Sequence, residues 1–579
     1  MPGWWPFKRR GEATSSAGDA SPTSPPAAPP PTQPATAPLP KGVPDWATLT
    51  GSSAAWANRQ PGRRGRVLIA TNIGGHGPVT VLESTLAAAL ALRDADVEIV
   101  LCDAALPGCL RAEYSDLPDD SVLVDRRLPQ TFCPTCMQRG RAMFEPLGLK
   151  IHFLSELITD ADRAEARHVA DTLPTDQIET YTHDGLNIGE HARAGALRYY
   201  TRGDLEGEPN GEIVLRRYLE ASLLSAAAYR RLLTTGTYDV AVFHHGLYVP
   251  QGQVGEVCRQ LGVRVVNWVV AYRNNSFILS HGDTYHHTLM DEPVADWEDM
   301  AWGDRQRDEI TAYLKSRWTG GRDWIGFHEK PDESVDELIR TSGIDPARPI
   351  IGMLSNVVWD AQLHYPANAF SSLLDWTFRT VDYFAGRPDL QLLLRVHPAE
   401  IRGTAKSRQP LAAEIAKRYP TLPSNVFVIP PESPVSTYAA MELCDSVLIY
   451  GTKTGVELTA VGIPVIVAGE AWIKHKGLTL DAQSPETYFA ILDRLPLRHR
   501  LKPEVVDRAL KYAYHFFFRR MIPLEFFRKV SSNLFFTPAI DTVDDLSPSK
   551  DRGLDVVCDA ILDGKPFIYP AEIVGVPDG

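Results

Sequence analysis

Residues 446–472 read SVLIYGTKTGVELTAVGIPVIVAGEAW. An apolar run ends at Tyr450, GTKTG turns the chain, and a helix begins near Val456. The helix closes at Gly462, and Pro464 opens the next apolar run. Strand, glycine turn, helix and strand form the repeating unit of a parallel α/β sheet. Free backbone N–H groups at such a helix start favour an anion. Thr452, Lys453 and Thr454 add donors, and Gly455 completes the turn. Glu457, in the first helical turn, is suited to accept hydrogen bonds from the paired hydroxyls of a ribose. The plainer alternative is an ordinary strand–helix–strand unit in which Glu457 complements the helix dipole.

Upstream, PIIGMLSN (349–356), LQLLLRVHP (390–398) and NVFVIP (425–430) are further continuous apolar runs. Such runs belong to parallel strands buried on both faces. Ligands of open α/β sheets bind at the carboxyl ends of strands. Arg395 and His397 stand at one such end, and both can donate to a phosphate. Pro398 stiffens the turn that aims the histidine. Ser355 and Asn356 close another strand, either as ligand donors or as turn caps. Ser436 follows a third, in PPESPVSTY (430–438).

A second set of the same units lies nearer the N-terminus. RRGRVLIATN (63–72) leads into GGHGP (74–78), a helical stretch and VEIVLCD (97–103). YDVAVFHHG (238–246), VGEVCRQLG (254–262) and VRVVNWVV (263–270) repeat the pattern. The expected division is a disordered Pro/Ala/Ser-rich leader over 1–62, then an α/β domain over 63–335 with a helical insert. A second α/β domain is expected over 345–502, facing the first across a cleft. Residues 503–579 are expected as helices that return to the first domain or touch a membrane.

Gly74, Gly75 and Gly77 allow a backbone to approach a ligand closely. His76 would then face the cleft. HHG (244–246) and SHGDTYHH (280–287) end or follow later strands. His76, His245 and Asp283 are therefore alternative general bases for an acceptor hydroxyl, with structural roles the competing reading. Cys102 and Cys109, with Cys133 and Cys136 of CPTC, could complete a tetrahedral site for structural zinc or an iron–sulfur cluster. Incidental buried thiols are the alternative.

The 579 residues carry a net charge of −13, with 44% hydrophobic residues. That balance argues against nucleic acid as a partner, because phosphate binding needs a basic face. No apolar run reaches the roughly 20 residues that span a bilayer. MPGWWPFKRR is not a secretory signal, and seven cysteines fit no disulfide framework, so the cytoplasm is expected. The stretch YAYHFFFRRMIPLEFFRKVSSNLFF (512–536) mixes aromatic and basic residues. It suits the inner face of the plasma membrane, or a helix packed back on the protein.

The order SN, HP, a serine-containing turn, GTKTGVE and GIPVIV resembles the nucleotide-sugar half of the GT-B glycosyltransferases. It is most similar to the bacterial capsule polysaccharide biosynthesis family, which includes Kdo transferases and is distantly similar to polysialyltransferases. The resemblance covers about 349–495 well and the N-terminal half loosely. It implies two Rossmann-like domains and transfer from a nucleotide-sugar donor to a glycan or lipid-linked glycan, with no cofactor required for catalysis. It places His397, Thr452 and Thr454 near the donor phosphate and Glu457 near ribose. The family's paired serines are missing before Gly451, which leaves the nucleotide base open. A nucleotide-sugar 2-epimerase and a non-catalytic glycan-assembly subunit are the competing functions.

Overall fold

Runs of valine, leucine and isoleucine bounded by glycine and proline become strands of two separate sheets. The computed structural model describes residues 43–319, 323, 334–360, 363, 367–403, 405–530 and 536–577. The first strands are β1 (Arg66–Asn72), β2 (Asp96–Leu101) and β3 (Lys150–Phe153). A short hairpin, β4 (Thr182–His183) and β5 (Leu186–Asn187), sits among the helices that follow. Next come β6 (Val240–His244), β7 (Arg264–Val270) and β8 (Ser276–His281).

The second series is β9 (Ile350–Leu354), β10 (Gln391–Arg395) and β11 (Val426–Ile429), then β12 (Ser446–Ile449), β13 (Val465–Val467) and β14 (Leu480–Asp481). A late strand, β15 (Ile522–Pro523), returns to the first sheet. The sheet orders are β15-β8-β7-β6-β1-β2-β3 and β11-β10-β9-β12-β13-β14. The second sheet is parallel throughout. The first is parallel from β7 to β3 and antiparallel only at its β8 and β15 edge. These are two Rossmann-like α/β layers.

Parallel pairing puts the carboxyl ends of neighbouring strands side by side. Leu354 lies opposite both Arg395 and Ile449, so β9 is flanked by the two strands that carry the HP and GTKTG turns. In the first sheet β1 and β6 are neighbours, which brings the glycine loop after β1 beside the paired histidines after β6. The described residues, from 43 onward, belong to one compact unit.

Three expectations change. The leader lies outside the described residues up to 42, but residues 46–51 and 54–57 are short helices. Asp45 and Ser53 cap them, and Trp46 is buried, so an unstructured stretch does not reach residue 62. The C-terminal region is also not a bundle of helices. After the helix Pro503–Tyr514 and a π-helical turn over His515–Arg520, the chain forms β15 and the strand pair Phe527–Lys529 with Phe536–Pro538. A further helix, Arg552–Asp563, packs through Asp555 on Arg93.

Third, the aromatic–basic stretch faces inward. Phe516, Phe517 and Phe518 are all buried. Arg520 donates to the carbonyls of Phe567 and Leu279 and pairs with Glu292; Arg519 pairs with Glu572. The described part of this stretch therefore presents no aromatic face to a membrane. Among the described residues no helix is long and apolar enough to cross one.

Phe517 is fully buried between Tyr313 and Phe516. Phe517→Ala should lower the unfolding free energy by about 3–5 kcal/mol, the scale of a large aromatic cavity. Urea unfolding measures it, and a loss below about 1 kcal/mol would show that the segment contributes little to the core.

Candidate functional site

The expected donor-side residues converge at the ends of β9, β10 and β12. Ser355 Oγ accepts from the His397 backbone N–H at 3.0 Å. Asn356 Oδ1 accepts from the Gly451 N–H at 3.2 Å. Two polar residues of one strand end thus brace the turns on either side. The Ala399 N–H donates to His397 Nδ1 at 3.0 Å, so the imidazole proton sits on Nε2. Thr452 Oγ1 donates to Thr454 Oγ1 and accepts from the Thr454 N–H, which orders the GTKTG turn.

Several side chains are used differently from expectation. Arg395 is buried and points into the fold. It donates to the carbonyls of Pro430 and Ser433 and reaches Thr437, so it struts the loop after β11. Burial, with Arg402 nearby, pulls its guanidinium down to about 10. Ser436 caps the helix Thr437–Glu442. Gly455 packs on Ile449 and Ile473. The helix after the turn, Thr454–Ala460, has only seven residues, so its dipole adds little to the backbone donors.

Glu457 is the largest departure. Its Oε1 takes Lys453 Nζ at 2.8 Å and Arg317 Nε at 3.2 Å, and its Oε2 accepts from the Tyr438 hydroxyl. Burial opposes its charge, but Arg317, Lys453 and these hydrogen bonds outweigh it and hold the carboxyl at about 2. Lys453 is therefore directed at Glu457 rather than at the open turn.

On the other side, His76, His244 and His245 gather at the ends of β1 and β6. The rings of His76 and His244 are 5.6 Å apart, those of His244 and His245 5.4 Å apart, and Trp268 lies 4.7 Å from His244. Burial, reinforced by Arg198, lowers His76 to about 4 and His245 to about 3, so both are neutral near pH 7. Asp283 is not with them. It pairs with His287 and with Arg259. His281 donates to the Lys565 carbonyl and stacks on Phe567.

The glycine loop answers to packing. A Cβ at Gly74 would stand 2.5 Å from the Cys136 carbonyl and from Gly140 Cα. A Cβ at Gly75 would meet Cys136 Sγ at 3.1 Å. The helix Cys133–Phe144 lies against this loop, which explains both glycines without a ligand. Gly77 opens the helix Gly77–Ala91. Cys102, Cys109, Cys133 and Cys136 are free thiols. Among the described residues no group of three or more His, Cys, Asp or Glu side chains is arranged to hold a metal ion.

A joint between the two halves was not foreseen. Glu470, just beyond β13, is buried. Its Oε1 accepts from the Ala367 N–H, its Oε2 pairs with His287 Nε2 at 3.2 Å, and its carbonyl accepts from His286 Nε2 at 3.0 Å. Trp472 Nε1 donates to His286 Nδ1. His286 therefore needs only one proton and is held down to about 4, by burial first and then by His287. Its neighbour His287 donates from Nδ1 to Asp283 and pairs through Nε2 with Glu470. Burial opposes that charge, but the two carboxylates outweigh it and lift His287 to about 10. Two adjacent histidines are thus kept in opposite protonation states. The Glu470 carbonyl lies 3.3 Å from a Cβ built on Gly451, so this joint borders the donor turn.

No family model matches the sequence, and no curated protein matches it. Solved structures do. The KpsC beta Kdo 2,4 transferase of Thermosulfurimonas dismutans is similar over 53% of this chain and 87% of its own, at 14% identity and a TM-score of 0.33. The spinosyn rhamnosyltransferase SpnG is similar over 78% and 95%, at 12% identity and 0.23. The UDP-GlcNAc 2-epimerase of Methanocaldococcus jannaschii is similar over 77% and 97%, at 10% identity and 0.23. At such scores these likenesses carry no argument beyond the architecture already visible in the two sheets.

His287 is raised above its unfolded value near 6.5. Its contribution to stability is complete below that pH and is lost as pH rises through about 10. Thermal unfolding between pH 6 and 10.5 should show this decline in the wild type, and His287→Gln should remove that component. Equal slopes in the two proteins would show that His287 is not charged in the joint.

Proposed function

We propose that this chain is a glycosyltransferase that moves a sugar from a nucleotide donor to a glycan or lipid-linked glycan, as in capsule or related surface polysaccharides. The observation that carries the reading is the braced row of strand ends, with Ser355 holding His397 and Asn356 holding Gly451. His397 Nε2–H, the Thr454 hydroxyl and the backbone N–H groups of Thr452 and Lys453 are donors at this edge, beside the Gly451 and Thr454 N–H groups that brace the turn. Such a set suits a phosphate, whose oxygens only accept. As the glycosidic bond to the donor breaks, charge grows on the leaving phosphate. Fixed donors stabilise it without reorganising.

The acceptor enters from the side of β1 and β6. His76 and His245, both neutral, can take the proton of an acceptor hydroxyl, a step that contributes typically about 10²–10⁴-fold. Asp283 is engaged by His287, which favours the histidines for that role. Closure of the cleft would keep water from the donor.

Isothermal titration with CMP, UDP, GDP and TDP tests the reading. At least one should bind, and His397→Ala should weaken that nucleotide by about tenfold or more, the scale of one charge-assisted contact. Binding of none of the four would overturn the assignment. Conversion of the matching nucleotide sugar without acceptor would identify a 2-epimerase instead.

A further inference from the structure

Arg317 comes from the helix Asp304–Thr319, outside the six-stranded sheet, yet its side chain is buried against the GTKTG turn. It pairs with Glu457 and Asp323, donates to the Tyr313 hydroxyl at 3.1 Å, and lies over the rings of Tyr272 and Phe517. Lys453 Nζ lies 4.6 Å from the centre of the same Tyr272 ring. Glu457 therefore receives Lys453, Arg317 and Tyr438 at once, and its oxygens are already engaged before any ligand arrives. A carboxylate so held is poorly placed to take two ribose hydroxyls as well.

We propose that Arg317 is a positioning residue of the nucleotide crevice, which keeps Glu457 ionised and so fixes Lys453 and the GTKTG turn for the donor. The crevice as a nucleotide site rests on the function proposed above; the charge network does not. The groups facing Glu457 are Lys453 on its own helix, Arg317 with Asp323 and Tyr313 behind it, Tyr438, and Tyr272. Two cations balance two carboxylates there. Removing Arg317 leaves two carboxylates against Lys453 alone, and an unbalanced buried carboxylate takes up a proton.

The test compares the wild type with Arg317→Gln, Arg317→Lys and Arg317→Gln/Glu457→Gln. Thermal unfolding is followed without ligand from about pH 4.5 to 8. Wild-type Glu457 is depressed to about 2, so its contribution is lost only as pH falls through that value and stays intact over this range. In Arg317→Gln the Glu457 carboxyl should rise above its unfolded value, so that stability falls as pH rises through this range, and Glu457→Gln in the same chain should abolish that slope. A melting temperature lowered equally at every pH, or a fall of stability with rising pH that is abolished by Asp323→Asn and not by Glu457→Gln, would overturn the proposal.

The second readout is affinity for whichever of CMP, UDP, GDP and TDP the wild type binds. It should fall at least about tenfold in Arg317→Gln below pH 6 and stay within about threefold in Arg317→Lys, which keeps the charge. Should Arg317→Gln not fold, Arg317→Lys decides: a fall of stability with rising pH over this range in that charge-retaining variant would overturn the proposal, and its absence with retained affinity supports it. A wild type that binds none of the four nucleotides defeats the functional reading, while the ligand-free series still judges the network.

Discussion

The site depends on one buried carboxylate, Glu470, tied to both halves of the molecule. On its own side it holds the Ala367 N–H and borders Gly451; across the gap it holds His286 and His287. A buried carboxylate is costly unless paired, and removing one partner of such a pair usually costs more than the pair itself contributes. The arrangement therefore acts as a constraint: His287 must stay charged, His286 must stay neutral, and the two strand-end surfaces must stay in register. At a separate place Arg408 and Gln409 grip Glu208, Asp204 and Gly203, which joins the halves there as well.

Between these joints lie the polar ends of parallel strands. Their ladder bonds stop at Leu354, Arg395 and Ile449, and the groups just beyond are satisfied by one another. Ser355 and Asn356 do this work sideways, from the central strand to its two neighbours. The result is a pair of turns whose geometry is fixed by the protein itself before any ligand arrives. Fixed dipoles in a partly dehydrated cleft interact more strongly than the same groups in water.

Much of this was legible in the sequence because parallel strands announce themselves as unbroken apolar runs. The runs ending at Tyr450, Val396 and Asn356 marked three strand ends correctly, and the turns after them do lie side by side. What the sequence could not show was where the polar side chains turn. Arg395 stands where a ligand donor would stand, but carbonyls from the loop after β11 lie closer. Glu457 looked free because its partner Arg317 belongs to a distant helix, with no local pattern around it. Gly74 looked like a ligand loop, and only the approach of the Cys133–Phe144 helix explains it. Glu470 was visible as an acid just after a strand, the one signal that could have been read. Its partners on the Tyr285–Met290 helix were not.

These misreadings share a cause, and it bears on how the site works. Each charged residue that sequence would hand to the ligand is already engaged inside the protein: Arg395 by carbonyls, Glu457 by two cations, Asp283 by His287. A buried ion network of this kind is weak support for stability, since well-packed apolar residues often serve as well or better. Its use is to fix orientation and protonation state. Neutral groups and backbone amides are then left to face the substrate, while the charges stand one layer behind and set their field. In the proposed function, the groups that would meet the donor are His397 and the turn from Thr452 to Thr454. Arg317, Glu457 and Glu470 decide whether those residues point the right way.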